Sequence, residues 1–244
     1  MKTRFILLAS ILFVVVLSYS TTFFLEKETA AALTKEDGFF EMLTALMLLA
    51  ASVAFFISYL RSPSGLDLVI IKTRKNLFFL FISLFLFFGF GEEISWGQRI
   101  FHVRTPEFLE RINSQQEINI HNIEVFHGLD QSGRVRSFWR RMLNLDRWYS
   151  FFWLVYCVLL PLVGLINAKA HRWLVARKIP LIPFWLGVFF LLNYGLCRIL
   201  MTASLDRGGR IVEIKEFIFG LLFLVAGLWL LQGRRTLRDE SPAS

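Results

Sequence analysis

Six apolar runs, each near the length that crosses a bilayer, dominate this chain and restrict what it can fold into. They cover about Phe5–Leu25, Phe39–Leu60, Leu77–Trp96, Trp148–Asn167, Leu181–Ala203 and Ile211–Leu231. A hydrocarbon core of about 30 Å needs roughly 20 apolar residues in a helix, because every backbone N–H and C=O must be satisfied without water. Composition agrees: 55% of the 244 residues are hydrophobic and only 19% charged. A soluble domain carries about 25% charged residues. The expectation is therefore an all-α polytopic transmembrane bundle forming a single integral membrane domain. Composition excludes a secreted disulfide scaffold, a disordered chain and a conventional cytosolic enzyme. Cys157 and Cys197 both lie inside apolar runs and imply no disulfide framework.

The first run has two readings. Lys2 and Arg4 before an apolar stretch, with Ser18-Tyr19-Ser20 after it, fit a signal peptide, whereas Phe23-Phe24-Leu25 restores the length of an uncleaved anchor. The anchor is the favoured reading. Net charge is +8, but the basic residues crowd short connections rather than forming a basic domain. Membrane topology accounts for them, and no nucleic-acid partner is expected. Arg61, Lys72, Arg74, Lys75, Lys169, Arg172, Arg177, Lys178, Arg234, Arg235 and Arg238 place both termini on the inner side of the membrane by the positive-inside rule. The third connection, about 97–147, then lies outside despite its own arginines. Within it, Thr105-Pro106 reads as the start of a short helix through about Ile112. Ser114-Gln115-Gln116-Glu117 reads as a capping box opening a second helix that Gly128 ends. Val135–Leu145, with Phe138 and Trp139 among arginines, reads as an amphipathic surface helix.

Ionisable residues inside spans are costly and mark candidate sites. At about 1.5 Å per residue, Glu92 and Glu93, Arg198, Glu41, and Lys215 with Glu216 all lie roughly 22–28 Å from the inner ends of four different spans. Asp37 extends that layer and Asn193 sits deeper. The bland reading is charge pairing between packed helices. The sharper reading is a polar site at the outer face.

Two segments carry the chemistry. In Gly91-Glu92-Glu93-Ile94-Ser95-Trp96-Gly97-Gln98-Arg99-Ile100-Phe101, adjacent carboxylates suit acid–base work. Successive helical residues diverge by about 100°, so one Glu at most faces a given site. Trp96, Gln98 and Arg99 are candidate headgroup contacts, together with Asn122 and Arg198. In Glu117–His127, a helix would put Glu117, His121 and Glu124 on one face, and Glu124 with His127 has the Glu-x-x-His spacing of carboxylate-bridged metal sites. Glu117, His121, Glu124 and His127 are thus candidate ligands for a divalent metal, while Glu92, Glu93 and His121 are the catalytic candidates. Glu117 also fits a capping role, and His127 fits a helix C-terminus.

The run Gly91–Phe101, followed by Thr105-Pro106-Glu107 and the amide-rich stretch through Asn122, resembles a signature of uncharacterised bacterial multi-pass membrane proteins. That resemblance implies a polytopic bacterial membrane protein and no particular activity. Alkaline-ceramidase-like hydrolases need a His-x-x-x-His pair on a late span, and no histidine follows His171. Two functional expectations stand. One is a membrane-embedded hydrolase or transferase acting on a lipid or lipid-linked substrate. The other is a non-catalytic carrier, or an accessory subunit binding a protein partner through the outer loop.

Overall fold

The computed structural model describes residues 2–35, 38–63, 73–113, 116–126, 142–203 and 210–239. The helices are α1 (Lys2–Phe24), α2 (Lys27–Leu33), α3 (Phe39–Leu60), α4 (Leu77–Glu93), α5 (Gln98–Phe101), α6 (Glu107–Glu110), α7 (Leu145–Trp153), α8 (Leu160–Ile166), α9 (Ala168–Ala176), α10 (Phe184–Thr202) and α11 (Arg210–Asp239). A π-helical turn, Leu154–Leu159, joins α7 to α8 without a break. No strand occurs among the described residues, so the all-helical expectation holds.

Five helical stretches are long and apolar enough to cross a membrane: Phe5–Phe24, Phe39–Leu60, Arg147–Ile166, Phe184–Thr202 and Ile211–Gly233. The remaining run, the third in chain order, forms α4, whose 17 residues reach about 25 Å and only just span hydrocarbon. It was expected to run to Trp96 and stops at Glu93, because Ser95, Trp96 and Gly97 adopt left-handed backbone. The fifth span starts at Phe184 rather than Leu181 because Pro183 takes the N-cap, and a residue preceding proline is driven out of the helical region. Many large apolar side chains point outward, Phe13 at 67% and Leu165 at 66% exposure among them. Apolar surface of that kind on several helices calls for lipid around the bundle.

The core is built on α3 and α11, which run parallel. Gly220 and Gly227 sit seven residues apart, against Met47 and Ala54, also seven apart; a Cβ on either glycine would come within 3.0 Å of its neighbour's Cβ. Small residues at this repeat let the backbones approach closely, the usual adhesive of membrane helices. Antiparallel to α3, α4 is pinned by Ser52 and Ser83, whose hydroxyls each donate to the other's backbone carbonyl at 2.9 and 3.0 Å. Phe85, Phe152, Tyr149, Trp153, Phe190 and Phe219 extend the core toward α7 and α10, with Phe85 and Phe152 centroids 4.4 Å apart. The first helix is joined by polar contact as well as packing. Tyr19 Oη donates to Asn193 Oδ1 at 2.8 Å, and Asn193 Nδ2 donates to the Lys215 carbonyl at 2.9 Å.

Candidate functional site

Immediately after α4 the chain makes a left-handed turn, with φ of 46° at Ser95, 53° at Trp96 and 78° at Gly97. Left-handed backbone costs a non-glycine residue roughly 1–2 kcal/mol, so Ser95 and Trp96 need compensation. Ser95 Oγ donates to the Glu117 carboxylate. Trp96 Nε1 donates to Glu92 Oε1 at 2.7 Å, and its ring meets Phe88 edge-on at 5.8 Å. The turn folds the indole back over Gly91, where a Cβ would lie 2.9 Å from the ring. Gly91→Ala should therefore lower stability by about 1–3 kcal/mol. A fall in melting temperature in detergent, with Trp96 emission shifted, would show it; an unchanged melt would mean the indole is free to yield.

The turn receives the following loop. Gln98 Oε1 accepts from the Ile118 N–H and Gln98 Nε2 donates to Thr105 Oγ1, both at 2.6 Å. Thr105 in turn donates to the Gln116 carbonyl at 2.6 Å. Asn119 Nδ2 donates to Glu117 at 3.1 Å, and Asn113 Nδ2 donates to both Asn119 oxygens at 2.8 Å. Asn113 and Ile123 close the loop as an isolated antiparallel bridge. Asn113, Asn119 and Asn122 are buried. The amides here close the loop on itself, and Gln98 is a structural pin.

This arrangement corrects the helix expected from Ser114. Residues 116–123 form turns and bends, followed by one 3-10 turn at Glu124–Phe126. Asn113 competes for the Glu117 N–H, at 3.5 Å, and the side chains bond the backbone in a non-helical form. Glu117, His121 and Glu124 consequently share no helix face: Glu117 turns to Ser95 and His121 to Glu92. Among the described residues no three His, Cys, Asp or Glu side chains gather as a metal-binding group. The Glu124 side chain and His127 lie outside those residues, as do Gly128, Asp37, the Arg99 side chain and most of the stretch 135–145. The helix expected at Thr105-Pro106 is shorter, Glu107–Glu110, with Pro106 as its N-cap.

Glu92 is the centre of the site. Its Oε2 accepts from the Ile120 and His121 backbone N–H groups, both at 2.7 Å, and lies 3.0 Å from His121 Nδ1. With Trp96 on Oε1, four donors surround one carboxylate. Because an ionised Oε2 can only accept, Nδ1 carries the proton, and in the neutral form of the ring Nε2 is then the acceptor. Glu92 is 8% exposed and His121 40%.

Glu92, Glu93, His121 and Glu216 line a cavity of about 240 Å³. Phe85, Phe88, Trp148 and Tyr149 supply its aromatic walls, with Thr44 and Leu48 from α3. The two adjacent glutamates diverge as helical geometry requires. Glu92 serves the loop, while Glu93 turns toward the bundle, in the field of Glu216, Glu213, Glu41 and Lys215. Lys215 Nζ is 3.0 Å from Glu216 Oε1. Ionisable groups of α3, α4 and α11 thus lie near enough to act on one another's charge. Arg198 departs from them, being exposed on α10 and absent from the cavity lining. Trp96 is half-exposed and bound to Glu92 rather than lining the cavity.

Sequence reasoning missed the aromatic walls. Trp148 and Tyr149 sit in the first turns of α7, fixed there by Asn144, whose Oδ1 accepts from the Arg147 N–H at 2.9 Å. An Asn followed three residues later by the start of an apolar run is the signal that would have located them. No family model, curated protein or solved structure matches the chain.

Proposed function

We propose that this chain is a multi-pass bacterial inner-membrane enzyme that performs acid–base chemistry on an amphiphilic substrate at the outer membrane boundary. The observation that supports this best is the Glu92–His121 pair on the wall of a cavity at the end of the bundle. A carboxylate fixing Nδ1–H orients the imidazole and stabilises its protonated form, leaving Nε2 to take a proton from water or a substrate hydroxyl. That proton then returns to the leaving group, giving hydrolysis or transfer of an acyl or related group. Glu93 supplies a second carboxylate on the same cavity. Four N–H donors on Glu92 favour orienting the histidine over ligating a metal. The basic short loops support an outward-facing site.

The test is reconstitution in vesicles of total bacterial lipid, followed by mass spectrometry of the lipids. A lipid species should disappear with wild-type protein. Its loss should slow at least ~100-fold with His121→Gln, the usual effect of removing a general base. Identical lipid profiles for both proteins would end the enzymatic reading.

One observation favours a second reading. The Glu92 donors all come from the chain itself, so the pair also works as a clasp that presents the loop to a protein partner. Under that reading Glu93→Gln is silent and Trp139→Ala abolishes partner capture; the enzymatic reading predicts the reverse.

A further inference from the structure

The cavity lining is selective in charge. Besides the Tyr149 phenol, its ionisable groups are three carboxylates and one histidine, with no lysine or arginine among the lining residues. Two of the carboxylates already have cationic or N–H partners: Glu92 has His121, and Glu216 has Lys215. Glu93 differs. Among the described residues no hydrogen-bond donor reaches it, and its surroundings add the negative fields of Glu216, Glu213 and Glu41 to the single positive field of Lys215. A carboxylate facing a cavity without a donor is a group that a ligand would satisfy. The walls around it are aromatic, and the faces of Phe, Tyr and Trp attract a cation. At about 240 Å³ the space holds a small headgroup with a few carbons, not a whole lipid.

We infer that the cavity takes the protonated amine of an amphiphile, its ammonium N–H groups donating to Glu93 beside Glu216 and its first carbons packed on Phe85, Phe88, Trp148 and Tyr149. The inference deepens the acid–base reading and rests on it for the location of the reacting group, next to His121. It also disfavours an anionic headgroup at this cavity. Arg198 is not among the lining residues, and three carboxylates would repel a phosphate.

The experiment is saturable binding of radiolabelled decylammonium to the purified full-length chain in neutral detergent, with displacement by unlabelled competitors. Decylammonium should displace the label at least ~10-fold better than decanol, a margin expected from the ion pair and cation–π contacts together. Decyl sulfate should not compete, and ethylammonium should compete weakly, which separates an amphiphile from a free amine. Glu93→Gln should weaken binding ~10-fold or more, and Glu216→Gln, carried as a second variant with its melt checked, should weaken it in the same direction. Equal displacement by decanol, or unaltered binding in Glu93→Gln, overturns the inference even if lipid turnover is observed. Conversely, intact amine selectivity with no turnover of any lipid removes the acid–base reading and leaves the binding site standing.

Discussion

Glu92→Gln should release the loop from the membrane boundary while leaving the helix bundle folded. Every group facing Glu92 is a donor: the Trp96 indole N–H, two backbone N–H groups and His121 Nδ1–H. A glutamine keeps the shape but must turn an NH2 toward one side. Turned toward Oε2, it faces the Ile120 and His121 N–H groups; turned toward Oε1, it faces the indole N–H. Either orientation sets donor against donor, and the bonds that remain lose their charge. Hydrogen bonds to charged groups contribute about 1.5–3 kcal/mol each, and unmet donors carry a further penalty. Amide exchange at Ile120 and His121 should therefore accelerate by roughly 10- to 100-fold, since each factor of ten corresponds to about 1.4 kcal/mol. Core amides in α3 and α11 should exchange as before. Any lipid turnover should fall with the loop, because His121 loses both its anchor and its orienting carboxylate. Unchanged exchange at both amides would show that Gln98, Ser95 and Asn119 hold the loop without Glu92.

The same carboxylate shows what was legible in the sequence. A charged residue about two dozen ångströms up a span stands out by cost alone, and that reasoning located Glu92, Glu93, Glu41 and Glu216 in one layer. Spacing also separated Glu92 from Glu93, since consecutive helical residues cannot share a target. What spacing could not convey was the fate of the helix after Glu93. Nothing in Ser95-Trp96 forbids another helical turn. The left-handed path holds because Gly91 leaves room for the indole, Gly97 tolerates the following φ, and Glu117 arrives from 22 positions later to receive Ser95. The region around Glu117–Glu124 failed for a related reason. Its helical periodicity was genuine as a pattern, but Asn113, Asn119 and Gln98 offered the backbone better partners than a helix would. The common helix face expected for Glu117, His121 and Glu124 went with it. His121 stayed in the site by a different route, through Glu92. Aromatic residues were too numerous, 27 Phe among them, for the four cavity walls to be singled out by composition.

The second large effect is expected far from the cavity, at Gly187→Ala. Pro161 has no N–H, so the Cys157 carbonyl four residues earlier loses its α-helical donor. The helix answers by widening into a π turn, with the Leu160 N–H reaching the Val155 carbonyl five residues back. Such turns leave a bulge, and α10 fits against this one through Gly187. A Cβ there would lie 2.2 Å from the Cys157 oxygen, 3.2 Å from its carbon and 3.3 Å from the Val158 Cα. These are backbone atoms on a rigid helix, so no side chain can swing aside. Nor does Trp153, stacked on Phe190 of α10, add a hydrogen bond to the seam: its Nε1 is buried without a partner among the described residues. Close packing is what remains, and the alanine forces the two helices apart. The loss should be about 3 kcal/mol or more, beyond ordinary overpacking because the obstacle is main chain. Gly195, on the same helix, has nothing within 4 Å of its added Cβ. Gly195→Ala should instead be neutral or stabilising by up to about 1 kcal/mol, through helix propensity alone. Thermal unfolding of the two variants side by side in detergent tests the argument: a large fall for Gly187→Ala alone supports it, and equal melts would mean that α10 can slide. The consequence reaches the site, because Tyr149 and Trp148 lie on the helix that the bulge anchors. A chain that loses the Gly187 seam should lose amine binding as well, even with Glu92, Glu93 and His121 intact.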